Sequence, residues 1–252
     1  MTNPFSLQGK LILITGASSG IGRQCAISCT EAGAKVIALG RNEKELAITK
    51  DSCQSGTVST ISYDFNNIEG IPNLIDSIVV KFGKIDGLIC SAGIEKTLPV
   101  KSLKIADFEN LYRINTISPI ELLKQCTIKD RYNEGMKIVF ISSITSVVGR
   151  KAVSAYAASK GALVSACKSI ALELSSKGIN INCISPGTIL TPMMQKVLNG
   201  LPEEVKKQRI SEFPLGIGEM KDVAYGCIYL LSDAARWITG INLIIDGGYT
   251  AK

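Results

Sequence analysis

The chain has 252 residues, a formal net charge of +6 and no histidine. That length suffices to bury a full core without metal or disulfide staples, and the missing imidazole excludes Ser-His-Asp and Cys-His catalysis together with His-ligated metal sites. The 28 basic and 22 acidic residues are dispersed without a basic run, which describes a mildly basic surface better than a nucleic-acid footprint.

No Pro/Gly/Ser-rich linker, composition break or internal repeat divides the sequence, so a single domain over 1–252 is expected. The start, MTNPFSLQGK, lacks the basic segment and long apolar stretch of a signal peptide, and no apolar run approaches bilayer-spanning length. Eight cysteines (25, 29, 53, 90, 126, 167, 183 and 227) are scattered without CxxC pairs, most of them in apolar stretches where Cys acts as a small hydrophobe. The expectation is a soluble protein of the reducing cytoplasm, with no metal, membrane or nucleic-acid partner.

Short apolar runs alternate with longer amphipathic stretches, the pattern of parallel strands buried on both faces by crossover helices. Strands are predicted at 10–15, 35–39, 58–63, 85–90, 137–142, 179–184 and 241–246, and helices at 20–32, 42–54, 68–83, 107–129, 154–177, 203–212 and 220–232. The fold class is therefore α/β, a doubly wound seven-stranded parallel sheet with helices on both faces. Ligands of such sheets bind beyond the carboxyl ends of the strands.

After the first strand comes Thr15-Gly16-Ala17-Ser18-Ser19-Gly20-Ile21-Gly22, running into a helix. Gly16 permits the tight turn, Gly20 lets a pyrophosphate approach the backbone, and Gly22 allows close packing of helix on strand. Ser18, Ser19 and Ile21 belong to the same turn, where free helix-start N–H groups face an anion. The spacing Gly-x3-Gly-x-Gly in this context points to a dinucleotide and a Rossmann fold.

The second strand ends Leu39-Gly40-Arg41-Asn42. An acidic residue there would repel a 2′-phosphate, whereas Arg41 offers a charge-assisted fork to one. The expected cofactor is NADP(H), with a solvated helix-start arginine as the alternative. Asp64, after the third strand, is placed either to accept from the adenine amino group or simply to begin a loop.

Of seven tyrosines only Tyr156 has a lysine four residues on, which stacks Tyr156 and Lys160 on one helix face. An ammonium beside a phenol favours phenolate and lowers its pKa toward the working range, and Lys160 also reaches toward the cofactor ribose. Thirteen residues upstream, Ser143 follows a buried strand and can hold a substrate oxygen.

With these motifs in order, the chain resembles the short-chain dehydrogenase/reductase family over essentially its whole length. The resemblance adds the helix Asn115 in Arg113-Ile114-Asn115, the Pro186-Gly187 turn, and Ile238-Thr239-Gly240 with Asp246-Gly247-Gly248. It implies that Ser143 and Tyr156 polarise a carbonyl, that Tyr156 supplies the proton, that Lys160 holds the ribose, and that Asn115 supports a water linking Lys160 to solvent. It places the Ile189 backbone at the carboxamide and Thr191 at the pyrophosphate, and it implies a homotetramer. One motif departs: Cys90-Ser91-Ala92-Gly93 stands where the family usually has Asn-Asn-Ala-Gly. Ala92 and Gly93 still admit the adenosine ribose, but two amides that brace the sheet are missing.

Substrate contacts are expected from Ile94 and Glu95, from Thr145 to Val148, and from the segment 188–212. There Met193, Met194, Val197 and Leu201 have helical spacing, which suits core packing and a lipophilic wall equally. The pattern is most similar to 3-oxoacyl-(acyl-carrier-protein) reductases; Lys177 fits the basic docking patch an acidic carrier needs, and Glu134 opposes it. A sugar, steroid or other secondary alcohol is the other substrate reading. A non-catalytic NADP(H) sensor is the alternative of another class, opposed by the set Asn115, Ser143, Tyr156 and Lys160, since a sensor needs no proton donor.

Overall fold

Seven apolar runs become seven parallel strands because helices cover both sheet faces and leave no strand a polar side. The computed structural model describes residues 3–251. Its strands are β1 (Leu11–Thr15), β2 (Lys35–Gly40), β3 (Val58–Ser62), β4 (Ile85–Cys90), β5 (Tyr132–Ile141), β6 (Asn180–Pro186) and β7 (Asn242–Ile245). They lie in the order β3-β2-β1-β4-β5-β6-β7, so the chain reverses direction across the sheet between β3 and β4, beside β1.

The helices are α1 (Gly20–Glu31), α2 (Glu43–Asp51), α3 (Ile71–Phe82), α4 (Ile105–Tyr112), α5 (Ser118–Cys126), α6 (Ser154–Ser175), α7 (Pro192–Asn199), α8 (Glu203–Ser211) and α9 (Met220–Leu231). Alternation along β1 divides the core: Leu11 and Leu13 pack with α3, α5 and α6, whereas Ile12 and Ile14 pack with α1 and α9. Seven of the eight cysteines are buried and all eight are free thiols, so they fill space in these two layers. No helix among the described residues is long and apolar enough to cross a membrane.

Three elements differ from the sequence expectation. The helix predicted over 107–129 is interrupted by a π-helical turn, Arg113–Ile117, between α4 and α5. Pro119, in the first turn of α5, has no N–H to give the Asn115 carbonyl, and the ladder widens there, with Ser118 N–H donating back to the Arg113 carbonyl. Strand β5 begins five residues early, at Tyr132, because Ile85 pairs with Tyr132 while Gly87 pairs with Lys137, a register irregularity that absorbs Asn133 to Met136. Before the helix expected at 203–212, the segment from 188 holds a further helix, α7, whose N-cap Thr191 accepts from Met194 N–H at 3.2 Å.

Glycine 16 is where backbone geometry tolerates least. Its φ is +67°, and a Cβ built on it would stand 2.8 Å from the Ala92 backbone. Gly16→Ala is expected to lower stability by about 3 kcal/mol, left-handed strain and overpacking together. Gly161→Ala, inside α6 with open space around its Cβ position, should gain up to about 1 kcal/mol. Urea unfolding of both variants checks the contrast.

Candidate functional site

The carboxyl ends of the strands open into a cleft of about 1080 Å³. At one end of the cleft the glycine turn is set by contacts between backbones. Gly20 has φ +55° and faces Thr191, and a Cβ on Gly22 would sit 2.3 Å from the Gly16 carbonyl oxygen. Gly22 therefore lets α1 pack on the turn itself. Ser19 is the extended N-cap of α1 and makes no side-chain cap bond, leaving first-turn N–H groups facing the cleft.

Arg23 clamps this turn. Its Nε donates to Thr49 Oγ1 at 2.9 Å, and its guanidinium bonds the Ser18 carbonyl and the Glu45 carboxylate. Thr49 Oγ1 in turn donates to the Ala17 carbonyl at 2.8 Å. Across the turn, Thr15 Oγ1 accepts from the N–H groups of Ser91 and Ala92 at 3.1 and 3.0 Å. Thr15 thus ties down the end of β4, while Cys90 is buried among the core residues. Neither Arg23 nor Thr15 is marked as functional by sequence spacing.

At the end of β2, a Cβ on Gly40 would lie 3.2 Å from the Ser18 side chain, so its absence leaves room for Ser18 beside Arg41. Arg41 is exposed and its side chain makes no hydrogen bond or ion pair among the described residues. Asp64 lines the cleft while its carboxylate accepts from Asn66 N–H at 3.0 Å, as a residue that starts a loop does.

The hydroxyl and amine groups gather at the ends of β4 and β5. Ser143 Oγ accepts from Thr145 N–H at 3.2 Å and Thr145 Oγ1 at 3.0 Å, which leaves its own proton to donate, and its side chain also bonds Tyr156. Lys160 Nζ donates to the Ile141 carbonyl at 2.8 Å. A Cβ on Gly93 would stand 3.2 Å from both Lys160 Nζ and Asn115 Oδ1, so that glycine admits the pair. Asn115 is wholly buried: it accepts from Ile94 N–H at 2.9 Å and donates to the Ile94 carbonyl at 2.9 Å and to Ser159 Oγ at 3.0 Å. The π-turn is thereby fastened to the helix that carries Tyr156.

The electrostatics depart from the expectation that Lys160 lowers the Tyr156 pKa. Burial, followed by the Glu95 carboxylate, pushes the phenol up to about 12, against the hydrogen bond from Ser143 and the charge of Arg150. Burial likewise brings the Lys160 amine down to about 8. Desolvation outweighs the neighbouring charge at both groups, and the ammonium is turned to a strand-end carbonyl.

Of the residues expected at the site, Gly16, Ser18, Ser19, Gly20, Ile21, Gly22, Arg41, Asp64, Ala92, Gly93, Ser143, Thr145, Tyr156, Lys160, Pro186, Gly187, Ile189 and Thr191 all line this cleft, and Asn115 lies behind it. Gly187 N–H donates to the Ile245 carbonyl at 2.8 Å and Leu190 N–H to the Gly218 carbonyl at 2.8 Å, which pins the strand-end turn that precedes α7. Ile94, Glu95, Val148 and Met194 line the outer half; Ser146 and Val147 do not. On α7, Leu198 is the buried residue and Val197 is exposed; the Met193 side chain lies outside the described residues. Arg150, Lys151, Phe213 and Tyr249 also line the cleft without any sequence pattern to announce them.

The family model described as enoyl-(acyl carrier protein) reductase matches residues 16–250. A 3-oxoacyl-[acyl-carrier-protein] reductase of Thermotoga maritima is 31% identical, over 96% of this chain and 98% of its own. An NADP-dependent (R)-specific alcohol dehydrogenase of Lentilactobacillus kefiri is 32% identical, over 98% of each. Among solved structures, a Sinorhizobium meliloti 1021 protein described as a short-chain alcohol dehydrogenase superposes with a TM-score of 0.92 at 28% identity, covering 99% of this chain and 100% of that one.

The lowered amine of Lys160 has a measurable signature. Between about 8 and its ordinary value of 10.5 the folded state binds fewer protons than the unfolded chain, so stability from this group rises with pH in that window, by at most about 1.4 kcal/mol per unit. Below it the full desolvation penalty applies. Denaturation of wild type and Lys160→Met from pH 7 to 10.5 should show the difference moving in favour of wild type; a difference independent of pH contradicts the assignment.

Proposed function

The chain belongs to the short-chain dehydrogenase/reductase family, and we propose that within it the protein is an NADP(H)-dependent reductase interconverting a ketone with a secondary alcohol. It is an oxidoreductase of alcohol and ketone groups; the cofactor and the residue roles are our reading. The observation that carries it is the meeting, in one cleft, of the glycine turn with the half-buried Ser143 and Tyr156 and the buried Lys160.

The cradle suits a dinucleotide: Gly16, Gly20 and Gly93 stand where a Cβ would crowd neighbours or strain the backbone, and the Arg41 side chain has no partner among the described residues at the end of β2. Arg41 would fork a 2′-phosphate, the α1 start would face the pyrophosphate, and the Lys160 and Ile189 region would hold the nicotinamide riboside. The Lentilactobacillus relative, NADP-dependent by name, supports the phosphate reading. When bound, the nicotinamide supplies or takes the hydride.

The protein's own part is proton management. Ser143, its acceptor positions taken by Thr145, donates toward the substrate oxygen. Tyr156, with its pKa near 12, is protonated at neutral pH and so stands ready to give its proton as that oxygen gains charge. Lys160, charged below about pH 8 and bonded to the Ile141 carbonyl, would serve the cofactor ribose. Asn115 positions the helix by holding Ile94 and Ser159.

The Thermotoga relative's name supports a 3-oxoacyl-carrier substrate, and Lys177 remains exposed after α6. The outer cleft, with Glu95, Arg150, Lys151, Arg209 and Glu212 in its lining, suits a polar substrate better than an acyl chain. We assign cytoplasmic residence and a homotetramer, for which exposed Ile105 and Phe108 on α4 and Leu172 on α6 offer apolar contact area.

Tyr156→Phe should retain NADPH affinity within about threefold while ketone reduction falls by about a thousandfold or more; NADPH fluorescence titration and stopped-flow absorbance read the two. Full activity in that variant would refute the mechanism. Arg41→Glu should lower kcat/KM for NADPH relative to NADH by at least about tenfold. Retained preference for NADPH would remove Arg41 from the 2′-phosphate site. A screen of acyl thioesters, keto sugars and keto steroids by NADPH oxidation separates the substrate classes.

A further inference from the structure

The outer half of the cleft carries more charge than a hydride-transfer site requires. Val205, Gln208, Arg209 and Glu212 recur at helical spacing, so one face of α8 and its C-terminal end forms a wall there. Opposite stand Arg150 and Lys151, in the turn that follows β5 and precedes α6, and Glu95 beyond β4. Among the described residues the side chains of Arg150, Lys151 and Arg209 make no ion pair or hydrogen bond.

Arg209 is half-buried. Its charge is disfavoured by desolvation and by Arg150 nearby, and is only partly relieved by Glu212 and Glu95. A partly desolvated guanidinium held near a second one, with neither paired, is satisfied by an anion from outside the chain. Three cations against two carboxylates leave one net positive charge on this wall, which matches a monoanion better than a phosphate dianion. Glu95 is close enough to raise the Tyr156 phenol while Arg150 opposes it, so an anionic group is repelled from the Glu95 side and drawn toward Arg150 and Arg209.

Resting on the reductase reading above, we infer that the substrate is a small hydroxy or keto acid whose carboxylate is held by Arg209 and Arg150 while its carbonyl or hydroxyl carbon lies at Ser143 and Tyr156. The guanidinium fork suits two carboxylate oxygens. The same pair specifies against esters and uncharged ketones, because an uncharged group would leave the half-buried Arg209 without a partner.

The test compares a series of four- to six-carbon keto acids with their methyl esters, in NADPH-oxidation assays and in calorimetric titration of the NADPH-loaded protein. Wild type should favour at least one acid over its ester by about tenfold or more in kcat/KM, carried by KM. Arg209→Ala and Arg150→Ala should each shrink that ratio, and Arg209→Lys should restore part of it. A merely structural role for Arg209 would depress acid and ester alike and leave the ratio unchanged, which overturns the proposal. Esters equal to or better than every acid also overturn it while leaving the reductase reading intact. Arg209-dependent binding of the acid in calorimetry, with no turnover of either compound, supports the anion site and removes the reductase reading. Tighter binding of a keto phosphate than of the matching keto acid overturns the carboxylate assignment.

Discussion

The buried ammonium of Lys160 is the constraint around which the site is arranged. A charged group taken out of water costs several kcal/mol unless it is paired and hydrogen-bonded, and here it finds a strand-end carbonyl, Ile141, at 2.8 Å. Cys90 and Cys183 are close enough to act on it electrostatically, and as buried thiols they give little charge compensation. The position is sustained by its surroundings: Ser142 Oγ donates to the Lys160 carbonyl at 3.0 Å, Gly93 leaves the side chain room, and Asn115 lies beside it. A core built for stability alone would place a methionine or leucine there. In the reductase proposed above, retaining the amine at the edge where the glycine turn opens is a cost accepted for chemistry.

Asn115 shows how the sheet and the chemistry are coupled. Its amide satisfies both polar groups of the Ile94 backbone and reaches Ser159 on α6, joining the segment after β4 to the helix that carries Tyr156 and Lys160. The π-helical turn that contains it coincides with Pro119, four residues on, where a regular helix would need an N–H. The irregularity is therefore encoded locally and used at long range. Thr15 performs a similar service on the other side of β4, capping the N–H groups of Ser91 and Ala92. It supplies at the strand end a brace that Cys90, turned into the core, cannot.

Strand order and the glycine turn were legible because each has a physical signature within a few residues: unbroken apolar runs for a doubly covered sheet, and left-handed or crowded positions that only glycine occupies. Apolar periodicity predicts one continuous helix over 107–129 because it persists through Arg113–Ile117, and hydrophobic pattern does not register a change in hydrogen-bond step. Arg150 and Arg209 were illegible for a different reason. They stand 59 positions apart in the numbering of the chain, on a turn and a helix face, and only the closing of the fold brings them to one wall.

The phenol is where sequence logic and burial pull in opposite directions. Spacing alone says that a lysine one turn away should favour phenolate, yet the Lys160 ammonium faces Ile141, and desolvation with Glu95 leaves Tyr156 with a pKa near 12. A raised pKa keeps this phenol protonated at neutral pH and also makes it a weaker acid than a free tyrosine, so in the reaction proposed above its proton would pass only to an oxygen that has become strongly basic. For the opposite direction the same group would have to lose its proton first, and the environment resists that. The local field thus holds the proton on the phenol, and after burial its largest contributor is Glu95, in the lining of the outer cleft. Whatever neutralises or displaces the field of Glu95 also shifts the balance of the proton donor, which couples substrate charge to the acid it reacts with.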